Sequence, residues 1–149
     1  MYHPELVVLT NMCMICDGSK VLVEDKRWED KHGIIFPGGH VETHEPIVDS
    51  VIREVFEETG LTIQKPRLCG IKNWINEDGS RYMVFLFSAD SFTGELTSSS
   101  EGRVFWVERD EVLRLNWIWH MDHMMRIFSD GEFAELFLDV ADDWKPLLK

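Results

Sequence analysis

The sequence predicts one α/β (α+β) domain over residues 1–149, and three observations carry that prediction. The chain of 149 residues is long enough for a real core, since a domain of this size buries roughly 70% of its unfolded surface. Its apolar residues fall in short β-rich runs separated by turn signals. Among these runs lies one strongly helical segment with its own start and stop signals.

Taken in order, "LVVLTNMCMI" and "KVLVEDK" are β-rich and joined by "CDGSK", in which Asp17-Gly18 is a strong turn former, so a hairpin is expected. The polar stretch "RWEDKHG" follows as a connection. "IIFPGGHV" then reads as a strand end leading into a loop-like corner with Gly38 and Gly39 at its apex. From Thr43 to Thr59 the period is helical, with Thr43 as N-cap, Glu45 in the first turn, Pro46 where its missing N–H costs little, and Gly60 just past the end. "RLCGIKNWIN", "RYMVFLFSAD" and "RVFWVE" read as further strands, the first two joined at Glu77-Asp78-Gly79-Ser80. "TSSSEG" is a polar loop. "DEVLRL" and "WHMDHMMRIF" read as helices, the second with Met121, Met124, Met125 and Phe128 on an apolar face, while "FAELFLDV" fits either strand or helix.

A net charge of −12 without a Lys/Arg cluster argues against binding a nucleic-acid polymer. An anionic small molecule stays open, because a divalent cation between two negative partners reverses the local sign. No apolar stretch approaches the ~20 residues that span a bilayer, and the N-terminal run lacks a basic lead and is interrupted by Thr10 and Asn11. A cytoplasmic protein with no membrane partner is expected. Three cysteines suit a reducing compartment. Cys13 and Cys16 form a C-x-x-C inside a strand, where residues three apart point to opposite faces, and Cys69 stands alone; inert thiols are expected.

The helical segment carries the chemistry. At about 100° per residue, Glu54, Glu57 and Glu58 share an arc of roughly 100°, adjoining an apolar arc of Ile47, Val48, Val51, Ile52, Val55 and Phe56. Such crowding makes ionising all three acids costly unless a cation is held among them, and oxygen-only ligands favour magnesium or manganese over zinc. Glutamates on the solvated side of an amphipathic helix are the bland alternative.

The spacing decides against that alternative. It fits G-x5-E-x7-R-E-U-x-E-E-x-G-U, with U aliphatic, through Gly39, Glu45, Arg53, Glu54, Val55, Glu57, Glu58, Gly60 and Leu61. A chance match at one start position is on the order of one in a billion. On these residues, 39–61, the chain resembles the Nudix hydrolase family, in particular its MutT-like, 8-oxo-dGTP diphosphatase-like branch. The resemblance implies an α/β/α sandwich around a mixed β-sheet, a loop–helix–loop box, and hydrolysis of a nucleoside diphosphate linked to another group, with divalent metal and water attack at phosphorus. It further implies that Glu57 and Glu58 are metal ligands, that Glu54 is a further ligand or the base, and that the Gly38 carbonyl is an oxygen ligand. Arg53 would orient a box glutamate, and Glu45 would be structural.

Outside the box the resemblance points to Glu101, before a late strand, as another metal ligand, an ordinary loop acid being the alternative. Arg27, shortly before "FPGG", would reach phosphates, with Lys26 competing for that role. Phe36 would wall a base, and Asn116 would read a purine edge. Trp74, Trp117 and Trp119 are candidates for stacking. His120 and His123, three apart on a helix, lack acidic or Cys partners at ligand spacing and do not make a second metal site.

These readings add up to a Mg2+-dependent hydrolase (Mn2+ as alternative) acting on a small-molecule nucleotide, a nucleoside triphosphate such as 8-oxo-dGTP, releasing monophosphate and pyrophosphate and serving nucleotide pool sanitation. The rivals are a pyrophosphatase for a nucleotide sugar or dinucleoside polyphosphate, and a non-catalytic nucleotide-binding module. The intact glutamates argue against the last. Monomer and homodimer both fit.

Overall fold

The computed structural model describes residues 1–149, apart from the side chain of Asp130. Strands β1 (Val7–Asp17) and β2 (Lys20–Trp28) form the expected antiparallel hairpin, turning at Gly18, whose φ of 61° lies in the left-handed region. The expected polar connection after it is corrected to a second hairpin. There β2 turns at Glu29-Asp30 into β3 (Lys31–Ile35), with Trp28 opposite Lys31. Lys31 and His32 are exposed, so no apolar alternation marks the start of this strand.

The glycine corner is itself a short strand, β4 (Gly38–His40), antiparallel to β1 with Gly39 opposite Asn11. Close approach is what requires glycine here. A Cβ on Gly38 would run into the Asn11 carbonyl and come within 2.7 Å of the Met12 Cα. Helix α1 (Ile47–Thr59) begins later than expected: Pro46 occupies the N-cap and Thr43 lies outside the helix. Pro46 disfavours helical geometry at the residue before it, which stops the helix from extending back to Thr43. At the other end Gly60 adopts φ 77° and its N–H bonds to Phe56 O at 2.9 Å, as the sequence implied.

Strands β5 (Leu61–Gln64) and β8 (Ser91–Gly94) pair into a small separate sheet that four-residue runs are too short to announce. Strands β6 (Arg67–Ile75) and β7 (Arg81–Ala89) form the expected antiparallel pair, and β9 (Gly102–Glu108) lies on β2. Arg109–Arg114 is a 3-10 helix, and α2 spans Met121–Asp130. The ambiguous "FAELFLDV" holds β10 (Glu135–Asp139), which pairs with β11 (Lys145–Leu148).

The large sheet runs β11-β10-β6-β7-β1-β2-β3, with β4 beside β1 and β9 beside β2. It is mixed, because β1–β7 and β6–β10 are parallel while the other pairs are antiparallel. Alternation along β1 builds both layers. Met12 and Met14 join the core under α2 with Met121, Met124 and Phe128, while Cys13 and Ile15 join the core under α1 with Val51 and Val55. The result is the expected α/β/α sandwich. Cys13 and Cys16 serve opposite layers, and all three cysteines are free thiols. Val48 and Phe56, placed in the apolar arc of the helix, are instead 44% and 56% exposed. No helix among the described residues is long and apolar enough to cross a membrane.

Candidate active site

Two buried elements and a loop bring three carboxylates together. Glu58 lies two turns beyond Val51 on α1, so the helix carries it onto the buried face, where it is 2% exposed. Glu24 ends the run Val21-Leu22-Val23, buried on both faces of β2, and is itself 1% exposed. Glu101 reaches in from the loop before β9. One oxygen of each of the three lies within 4.8 Å of the others. Gly38 N–H donates to Glu58 Oε2 at 3.2 Å, and Lys26 Nζ stands 3.5 Å from Glu101 Oε2.

Among the described residues, Glu24 Oε1 and Glu58 Oε1 have no hydrogen-bond partner although both are buried. Burial first, and then the contact with Glu24, pushes the Glu58 carboxyl far above the usual range; burial raises Glu24 as well. Burial of two facing carboxyls therefore favours one shared proton over two full charges. Glu101 is held below its ordinary value, first by its hydrogen bond with Glu58 and then by Lys26. Orphaned carboxylate oxygens around a shared proton fit a hard divalent cation, which satisfies the oxygens and displaces the proton.

The other two helical acids take different places. Glu54, with a side chain 14% exposed, packs under Gly39, where an added Cβ would meet its Oε1 at 2.6 Å. Burial raises its pKa, opposed by Arg53, whose Nη1 donates to Glu54 Oε1 at 3.0 Å. Arg53 is anchored by a two-pronged grip on Glu45, at 2.8 and 2.9 Å, and by the His40 carbonyl at 2.9 Å. That grip pulls the Glu45 carboxyl down to about 2. Glu57, four residues beyond Arg53, lies on its side of the helix, 55% exposed and 3.3 Å from Nη1, outside the buried trio.

A cleft of about 1100 Å³ runs from this trio to an aromatic end lined by Lys72, Trp74, Tyr82, Trp117 and Trp119. Trp74 stacks on Tyr82 at 4.4 Å and 8°. Phe36 is 1% exposed at the cleft wall and meets Phe128 edge-on at 5.3 Å. Alternation along β2 turns Glu24 and Lys26 into the cleft and leaves Arg27 exposed outside it. Asn116 is exposed too; its Nδ2 donates to the His32 carbonyl at 3.4 Å, and it is the neighbouring Trp117 that lines the cleft. His120 and His123 border the aromatic end with ring centroids 6.1 Å apart, and His123 bonds to Asp122 at 2.9 Å.

Several residues of this site escaped the sequence reading, Glu24, Lys72, Tyr82 and Asn11 among them. Glu24 and Lys72 are charges inside strand runs, and that misplacement was their signal. Asn11 is a polar residue inside an apolar strand run: buried on β1, it accepts from Gly39 N–H at 3.2 Å and donates to Ser50 Oγ at 2.9 Å, tying the glycine strand to the start of α1.

A cradle of oxygens for a divalent cation, set beside an aromatic cleft, marks an enzyme class that works on small anionic substrates. The NUDIX domain model matches residues 8–128, and the chain belongs to the Nudix family of hydrolases, enzymes of pyrophosphatase type that act on small nucleotide substrates with divalent cations. The Nudix hydrolase YvcI of Bacillus subtilis (strain 168) is 33% identical over 129 residues, covering 83% of this chain and 80% of the relative. The phosphatase NudJ of Escherichia coli (strain K12) is 30% identical over 90 residues, 60% of this chain and 57% of the relative. The mutator MutT protein from Bacillus halodurans superimposes with a TM-score of 0.73 at 29% identity, covering 94% of each chain. The E. coli ORF135 protein, at TM-score 0.72 and 19% identity over 83% of this chain and 89% of its own, shares the fold.

Proposed function

We propose that this protein is a magnesium-dependent nucleoside triphosphate pyrophosphohydrolase, with manganese as the alternative ion. Its substrate is a purine triphosphate such as 8-oxo-dGTP, split to monophosphate and pyrophosphate by water attack at phosphorus. The observation that supports this most is the pair of partnerless, buried oxygens on Glu24 and Glu58 at one end of a cleft whose other end is aromatic.

Glu58, Glu24 and Glu101 would hold the ion, with the Gly38 carbonyl beside them and Glu57 joining from the rim. A bound divalent ion neutralises phosphoryl charge and makes water more acidic. Glu54, raised by burial, takes the proton of the attacking water. Arg53 keeps that carboxylate aimed, since its own position is fixed by Glu45 and His40. Lys26 presents a cation at the phosphate end, the role for which Arg27 is badly placed. Phe36 and the tryptophans supply flat apolar surface for a base.

A second reading, hydrolysis with release of orthophosphate, draws on the similarity to the phosphatase NudJ. A panel of nucleotides incubated with magnesium and scored for both products separates the two. Pyrophosphate supports the proposal, orthophosphate alone moves the protein to the second reading, and no hydrolysis of any nucleotide overturns both.

A further inference from the structure

Lys72 lies on β6, one strand-repeat from Trp74 on the same face, and opens into the cleft while only 4% exposed. An ammonium so buried needs acceptors, because it has three donors and no other compensation for lost water. Among the described residues it donates one hydrogen bond, to Trp119 O at 2.6 Å, and its Nζ stands 5.7 Å from the Trp74 ring centroid. Two of its donors are left unspent on protein. Burial lowers it to about 8, so it still carries charge at neutral pH.

The carbonyl it grips belongs to an unusual segment. Trp119 and His120 are consecutive non-glycine residues with φ of 55° and 63°, a costly left-handed pair. The Lys72 bond holds that carbonyl at the cleft edge, with the Trp119 ring 46% exposed beside it. The spare donors thus lie among flat aromatic surfaces. Three strand spacings, about 14 Å, separate β6 from β2, which carries Glu24.

We propose that Lys72 is a specificity-determining residue that donates to the ring carbonyl of a 6-oxopurine held in the aromatic end of the cleft. This rests on reading the cleft as a nucleotide site, with phosphates at the carboxylate trio. A 6-oxopurine offers its O6 acceptor to an ammonium, joined by N7 in the unoxidised ring but not in an 8-oxo ring, whose N7 is protonated, whereas a 6-aminopurine replaces O6 with a donor that faces the ammonium's own protons. The unspent donors of Lys72 therefore favour the oxo ring and penalise the amino ring.

The test measures binding of inosine monophosphate and adenosine monophosphate, which differ at that position, by quenching of tryptophan fluorescence in the presence of a chelator. The wild-type protein is expected to prefer the inosine ligand by about tenfold or more, and Lys72→Met to abolish that preference. Trp119→Asn, whose side chain tolerates a left-handed backbone, is expected to weaken both ligands together and keep the ratio. An equal loss of both ligands in Lys72→Met, an unchanged ratio, or no wild-type preference would overturn the inference and leave Lys72 a structural clamp on Trp119. Because this readout needs neither metal nor turnover, a selective, Lys72-dependent ratio without hydrolysis would remove the proposed activity alone. Hydrolysis without any such ratio would remove this inference alone.

Discussion

The two ends of the cleft are built on opposite principles. At the carboxylate end, three acids are packed together with oxygens unfilled, a geometry that is unfavourable until a cation arrives. At the aromatic end, stacked rings and a single buried lysine make a surface already complete except for two donors. On the proposed function, the first end would answer to the charge of a polyphosphate and the second to shape and hydrogen-bond pattern. That proposal puts reaction type at one end and selectivity at the other, so changes at each end should move different kinetic quantities.

The largest effect is expected for Glu58→Gln. With magnesium and a hydrolysed nucleotide, kcat/KM should fall by more than the ~100-fold typical of an outer-sphere partner, with no fall in melting temperature, because burial already favours the neutral form of the Glu58 carboxyl. Full activity in that variant would separate the trio from the chemistry. Glu57→Gln should also lose turnover while leaving folding untouched, since its side chain is mostly exposed; unchanged turnover would confine Glu57 to its contact with Arg53.

Next comes Arg53→Lys, which cannot reproduce the two-pronged grip on Glu45 while also reaching Glu54. A drop in kcat of about 10- to 100-fold with KM nearly constant is expected. A loss of thermal stability with unaltered kcat would mean that Arg53 only braces the helix. At similar size, affinity for Mn2+ should rise with pH by up to about tenfold per unit, because the ion must displace the proton shared by Glu24 and Glu58. The sign follows from the raised direction of both groups: burial favours the protonated form, and the proton is released more easily as pH climbs. Titrations that give one affinity across the range would show that no proton is held there. The smallest contrast is between neighbours on β2, where Lys26→Ala should raise KM several times more than Arg27→Ala, about the effect of one exposed charge. Equal effects would undo the assignment based on strand alternation.

The two ends also differ in how far the sequence revealed them. The box pattern was legible because helical spacing is local, but spacing puts Glu54, Glu57 and Glu58 in one arc, and it is packing that buries Glu58 on the Val51 face and leaves Glu57 beside Arg53. The start of α1 was misjudged for an equally local reason, the hold that Pro46 exerts on the residue before it. Glu24 could not be placed from spacing, since it meets Glu101 through pairing of β2 with β9 and Glu58 through the packing of α1 on the sheet. The aromatic end depends on strands β6 and β7 and the segment before α2, far apart in the chain, so Trp74 and Trp119 were candidates without a partner and Lys72 went unnoticed. Asn116 shows the limit of position alone: it lies next to the wall yet bonds to His32 instead of facing the cleft.

Anomalous diffraction from crystals soaked in manganese is the most direct test of the cation cradle. A peak is expected within direct coordination distance of carboxylate oxygens of Glu58 and at least one of Glu24 and Glu101. Manganese bound only elsewhere, with Glu24 and Glu58 still facing each other around their proton, would contradict it.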